Sequence, residues 1–155
     1  MPGSGKSTVG VILAKRLGMH FIDTDIVVQE NTGRMLQEII NRDGIDAFLS
    51  IEERNVVSLK CNNSVIATGG SVVYSDAAMK YLKKTGRIIY LNVCFEEIVR
   101  RLKNIPIRGI AVPEGQSLLD IYNQRIPLYE KYADITIDCS GRDVEDIIEN
   151  LIHEL

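Results

Sequence analysis

The chain has 155 residues, 45% of them hydrophobic and 25% charged, and a formal net charge of −3. That describes one ordinary globular domain with enough apolar material for a core, and it excludes a general electrostatic reason to bind nucleic acid or an anionic membrane. No apolar run is long enough to cross a bilayer and no signal-peptide pattern occurs, so a cytoplasmic, monomeric protein is expected.

The first stretch with chemistry is Gly3-Ser4-Gly5-Lys6-Ser7-Thr8. In the pattern G-x-x-x-x-G-K-[ST] a strand enters a glycine-rich turn whose N–H groups surround phosphate oxygens, and a helix starts at the lysine. Gly3 and Gly5 allow backbone angles and a close ligand approach that a Cβ would block, and the helix N-terminus favours an anion. Lys6 brings a positive charge to the β/γ-phosphates, Ser7 is placed to hold Mg²⁺, and Thr8 follows it into the helix. A Gly/Ser-rich run alone reads rather as a flexible tail. Here Val9, Val11, Ile12, Leu13, Ala14 and Leu17 continue as a helix, closed by Lys15, Arg16 and the stop Gly18, which favours a nucleotide site. The pattern's first glycine and its strand would precede Met1. The expectation is an in-frame upstream apolar strand of about five residues, or else a damaged or regulatory paralogue. If the chain folds as it stands, four parallel strands with a gap or substitute strand at the centre are expected.

Met19 to Ile22 reads as a strand ending in Asp23-Thr24-Asp25, at the sheet edge where open α/β folds bind ligands. Both acids face one cleft if the strand extends through them; the alternative is a loop in which Asp25 caps the next helix. Short helices follow at 26–30 and 35–41, then a longer amphipathic one from Ile45 to Lys60, with Glu52, Glu53 and Arg54 among its polar positions. Ser64 to Ala67 reads as a buried strand breaking at Thr68-Gly69-Gly70-Ser71. A helix capped by Ser75 or Asp76 runs to Lys84, and Arg87 to Val93 forms the next strand. Phe95 to Lys103 is a helix whose charges form i,i+4 pairs such as Glu96–Arg100 and Glu97–Arg101, with no chemistry assigned. The segment 104–115 holds Pro106, Gly109, Pro113, Gly115 and, near its middle, Arg108; it is expected to be a mobile lid, poorly ordered or open without nucleotide. Helix resumes from Ser117 to Tyr132, interrupted at Arg125-Ile126-Pro127, before a strand at 135–138 and a last helix from Asp143. Alternating strands and helices imply a parallel sheet covered on both faces. Cys61, Cys94 and Cys139 are expected to be reduced and largely buried, and His20 and His153 to lie outside any catalytic role.

Four stretches in order carry a resemblance to the shikimate kinase family over essentially the whole chain: G-S-G-K-S-T at Gly3 to Thr8, D-T-D at Asp23 to Asp25, A-T-G-G at Ala67 to Gly70, and R-I-P-L-Y-E-K-Y-A-D at Arg125 to Asp134. The resemblance implies a P-loop three-layer α/β/α sandwich, five-stranded in the family, as a single domain over 1–155 with a substrate-binding helical region at about 26–60. It implies transfer of the γ-phosphoryl of ATP to shikimate, with Lys6 and Ser7 serving ATP and Mg²⁺ and Asp23 supporting the metal. Asp25 would contact the shikimate hydroxyls, Gly69 and Gly70 line its site, Arg125 bind its carboxylate and Arg108 close over the phosphates. Lys6, Asp25 and Arg108 would be the catalytic groups.

Three departures from the family pattern stand out. Leu49 replaces the arginine of G-x-x-x-F-R-x-x-E, Ser71 replaces the third glycine of G-G-G, and the lid R-P-L-L is Arg108-Gly109-Ile110-Ala111. Losing one of two arginines on a carboxylate removes about 1.5–3 kcal/mol, which Arg54 would restore only if the helix presents that face. The alternatives are a P-loop kinase for another small hydroxy acid or polyol, and a nucleotide-binding paralogue with weak or no activity.

Overall fold

The computed structural model describes residues 1–103 and 112–155. Its elements alternate: α1 (Lys6–Leu17), β1 (His20–Asp23), α2 (Thr24–Thr32), α3 (Leu36–Asp43), α4 (Ile45–Val57), β2 (Ser64–Ala67), a 3₁₀ turn (Val72–Tyr74), α5 (Asp76–Thr85), β3 (Ile89–Asn92), α6 (Phe95–Lys103), α7 (Leu118–Tyr132), β4 (Ile135–Asp138) and α8 (Val144–Glu154). The described strands form two parallel pairs, β1 with β2 and β3 with β4, and the pairs are not hydrogen-bonded to each other. The registers run from His20 opposite Ser64 to Asp23 opposite Ala67, and from Ile89 opposite Ile135 to Asn92 opposite Asp138. Four parallel strands with a break between the pairs is the arrangement expected from the sequence.

One apolar cluster spans that break. Met1, Val9 and Leu13 pack with Leu91, Val93 and Ile137 from the β3–β4 side, with Val65 of β2 against them. Ile147, Ile148 and Leu151 of α8 close the same cluster. A second cluster joins Val56, Val72, Val73 and Met79 under Tyr132, and a third joins Val28, Leu36, Ile39 and Phe48 in the α2–α4 region, with Leu49 packed against it.

Several element boundaries differ from the expected ones. β1 ends at Asp23, whose side chain caps α2 by accepting from the Asp25 N–H at 3.0 Å. Asp25 therefore stands in the first turn of a helix, and Asp23 is the cap. α4 stops at Val57, three residues before Lys60, where Ser58 donates its N–H to Arg54. α7 runs unbroken through Pro127, because tertiary packing of Ile121, Arg125 and Tyr132 outweighs the lost backbone hydrogen bond. Cys61 and Cys94 are exposed; of the three thiols only Cys139 is buried. Among the described residues no helix is long and apolar enough to cross a membrane. Arg108 and residues 104–111 of the expected lid segment 104–115 lie outside the described residues.

Candidate active site

The phosphate loop takes the backbone shape its glycines were expected to permit. Gly3 has φ 74° and Gly5 φ 92°, both in the left-handed region, and Gly5 is the N-cap of α1 with no side-chain cap bond. The first-turn N–H groups of α1, which no helix can satisfy internally, are thus not covered by a capping side chain. Lys6 Nζ donates to the Met1 carbonyl at 2.7 Å, and the Ser4 hydroxyl donates to the same oxygen at 2.9 Å. Desolvation lowers the Lys6 pKa, against the carboxylate of Asp25, which raises it.

Ser7 and Asp23 meet at the loop. The Ser7 hydroxyl donates to Asp23 Oδ2 at 2.7 Å, while Oδ1 of the same carboxylate caps α2. One acid fixes both the start of α2 and the oxygen pair at the loop. Thr8 follows in the first turn of α1, exposed. The hydroxyl and carboxylate oxygens are hard donors of the kind Mg²⁺ takes alongside phosphate oxygens and water. Among the described residues no group of three His, Cys, Asp or Glu side chains forms a metal cage.

The acceptor side gathers around the glycine turn after β2. A Cβ on Gly69 would lie 2.0 Å from Glu52 Oε1 and 2.9 Å from Asp25 Oδ1, and one on Gly70 would lie 3.1 Å from Arg125 Nη1. A Cβ at Gly69 would force the Glu52 carboxyl to move, and the structure brings Asp25 to Gly69 and Arg125 to Gly70. Thr24 locks the arrangement: it is buried, and its Oγ1 accepts from the Gly69 N–H at 3.0 Å. Arg125 is 2% exposed, unusual burial for an arginine side chain. Its Nε donates to the Tyr74 hydroxyl at 3.2 Å, and its guanidinium carbon stands 5.1 Å from the centre of the Tyr74 ring. One turn further along α7, the Tyr129 hydroxyl donates to the Gly70 carbonyl at 2.7 Å, and burial pushes its pKa up to about 12.

Sequence reasoning missed three participants. Glu52 looked like a solvent-facing polar position, yet it is 2% exposed. Its family-pattern spacing from Phe48 was the signal that it faces inward. Thr24 and Tyr129 lay inside recognised motifs without a role. The charges of α6 were assigned no chemistry, but Arg101 Nη1 donates to the Gly3 carbonyl at 3.3 Å. Arg101 is held there by Glu97, whose Oε1 accepts from Arg101 Nε at 3.0 Å and whose Oε2 accepts from the Gly141 N–H at 2.8 Å. Arg100 also reaches Glu97, at 3.4 Å, rather than its expected partner Glu96. Arg54 is exposed, and residues two apart on a helix do not share a face, so it does not stand in beside Glu52 for the arginine that Leu49 replaces.

A glycine-rich loop at a helix N-terminus, a serine–aspartate oxygen pair and a neighbouring acid–arginine cleft on a parallel α/β scaffold define a P-loop phosphotransferase of small molecules. The family model described as shikimate kinase matches residues 2–155, and the chain belongs to the shikimate kinase family. A shikimate kinase of Thermodesulfovibrio yellowstonii is 40% identical over 156 residues, covering 98% of this chain and 89% of that protein. One from Paracidovorax citrulli is 35% identical over 162 residues, covering 100% of this chain and 88% of that one. Among solved structures, the shikimate kinase of Acinetobacter baumannii in complex with shikimate superposes with a TM-score of 0.84 at 31% identity, covering 99% of this chain and 87% of that one.

Proposed function

We propose that the protein transfers the γ-phosphoryl group of ATP to a hydroxyl of shikimate, giving shikimate 3-phosphate and ADP in the cytoplasm, as a step of aromatic amino acid synthesis. The observation that carries this reading is the convergence of Asp25, Gly69, Gly70 and Arg125 beside a phosphate loop, in a chain similar to a relative solved with shikimate.

The N–H groups at the start of α1 and the Lys6 ammonium hold the β/γ-phosphates. The oxygens of Ser7 and Asp23 suit Mg²⁺, which when bound neutralises charge on the phosphate oxygens. Arg125 pairs with the acceptor carboxylate, and its burial against Tyr74 fixes the direction of the fork. Asp25 accepts the proton of the acceptor hydroxyl as that oxygen bonds to the γ-phosphorus and the bond to the ADP oxygen breaks. Arg108 completes the proposal as a cation over the transferring group. Positioning and charge neutralisation supply most of the rate.

Coupled assay of ADP release with and without shikimate tests the reading. Shikimate-dependent turnover is expected; nucleotide binding by calorimetry without such turnover excludes it. Leu49, packed into the apolar α2–α4 cluster where the family pattern has arginine, favours a second reading in which the acceptor is a different hydroxy acid or polyol. Turnover of another member of a hydroxy-acid panel at higher kcat/KM than shikimate would select it.

A further inference from the structure

Glu52 is left without a task by the chemistry above, and its surroundings are unusual for an acid. Among the described residues its Oε1 is a buried side-chain oxygen with no hydrogen-bond partner. Ser71 hydrogen-bonds the carboxyl group. Oε1 and Asp25 Oδ1 lie 2.0 and 2.9 Å from the one point that a Gly69 Cβ would occupy, so acids from α4 and α2 converge on one glycine. A bare carboxylate oxygen sealed beside another carboxylate is destabilised twice, by lost hydration and by like charge. Protonation of that oxygen removes both penalties.

The charged groups that act on Glu52 are Asp25 from α2, Arg125 from α7 and Lys6 from the loop end of α1. Tyr129 of α7 feels it in turn. The ions of α3 and α5, which also pack on α4, pair at exposed surfaces, as in Arg42 with Glu38 and Lys80 with Asp76. Burial pushes the Glu52 carboxyl up to about 7; the Ser71 hydrogen bond opposes this and Asp25 reinforces it, while Arg125 and Lys6 pull it down.

Resting on the acceptor-kinase reading above, we propose that Glu52 is a positioning residue for the acceptor: it stands near Asp25 as a neutral carboxylic acid, so that the cleft presents a single negative charge to an anionic hydroxy acid. Once ionised, Glu52 competes with the acceptor carboxylate for Arg125 and adds a buried like charge that solvent screens poorly. Binding of an anionic acceptor therefore weakens as pH rises through neutrality. In this chain Leu49 supplies no cation one turn away to hold Glu52 ionised.

The test is shikimate binding by calorimetry without nucleotide, from pH 6.5 to 8.5, for the unmodified chain and Glu52→Gln. The dissociation constant of the unmodified chain is expected to rise on the order of tenfold over that range, in line with one tenfold step per pH unit above the transition. In Glu52→Gln the dependence flattens. A parallel rise in both proteins, or no rise in the unmodified chain, overturns the proposal. Carbon-13 NMR titration of the Glu52 carboxyl in the unmodified chain decides the matter without a ligand: a midpoint near neutrality supports the neutral acid, and a midpoint in the ordinary carboxylate range overturns it. Failure of shikimate to bind at any pH overturns the acceptor assigned above, and the NMR midpoint still reports on the carboxyl pair.

Discussion

On the phosphate side of the cleft, Gly3, Gly5, Lys6 and Ser7 are near neighbours in the chain, and their geometry follows from two left-handed glycines and a helix start. On the acceptor side, Asp25, Glu52, Gly69 and Arg125 come from α2, α4, the turn after β2 and α7, and two of the four are ionisable groups only 2% exposed. The first region is written in local backbone preference. The second exists only because the helices pack, so its charges are tuned by burial and by one another. A substitution on the phosphate side is therefore expected to change chemistry with little effect on folding, whereas one on the acceptor side moves activity, stability and pH response together.

The largest effect that sharpens this contrast is expected from Asp25→Asn. Turnover should fall by about 10²–10⁴, the range for loss of a positioned proton acceptor. Nucleotide affinity, read by calorimetry, should stay within about twofold, because Asp25 lies on the acceptor side. A matching loss of ATP affinity would merge the two regions into one.

Stability against pH comes next. The Glu52 carboxyl, raised from 4.5 to about 7, favours the folded state fully below its unfolded value, and that contribution is lost progressively as pH rises to about 7. The loss amounts to roughly 3 kcal/mol at about 1.4 kcal/mol per pH unit. Urea unfolding between pH 4.5 and 8 measures it, and Glu52→Gln should remove that component of the slope. An unchanged slope in the variant would assign the pH response elsewhere.

Leu49→Arg places a cation one turn from Glu52 on α4. Shikimate affinity should improve about ten- to a hundredfold at pH 8, matching about 1.5–3 kcal/mol for a charge-assisted bond. The Glu52 titration should move down toward ordinary carboxylate values at the same time. Weaker binding would mean that the apolar cluster around Leu49 does not admit the guanidinium.

The smallest expected effect is that of Thr24→Val. The buried Gly69 N–H loses its acceptor, which should destabilise the chain by about 1–2 kcal/mol and raise the acceptor KM more than the ATP KM. Equal changes in the two Michaelis constants would show that Thr24 holds the whole cleft rather than the glycine turn.

Much of this was legible in the chain itself. Glycine at positions 3 and 5, the lysine and hydroxyl after them, and the alternation of short apolar runs with amphipathic stretches determined the loop, the parallel pairing and most element boundaries, because backbone sterics and hydrophobic periodicity act over a few residues. The strand Ser64–Ala67 and the helix Phe95–Lys103 appear where periodicity placed them. Tertiary structure alone decided that α7 continues through Pro127, that Asp25 stands on a helix and that Arg101 reaches the loop. It also decided what Glu52 faces. The i,i+4 spacing of Phe48, Glu52 and Val56 puts Glu52 on the buried face of α4, but helical periodicity alone does not say that this face meets Gly69. Which surface packs over it is settled by residues far away in sequence whose burial sets the cost of a charge.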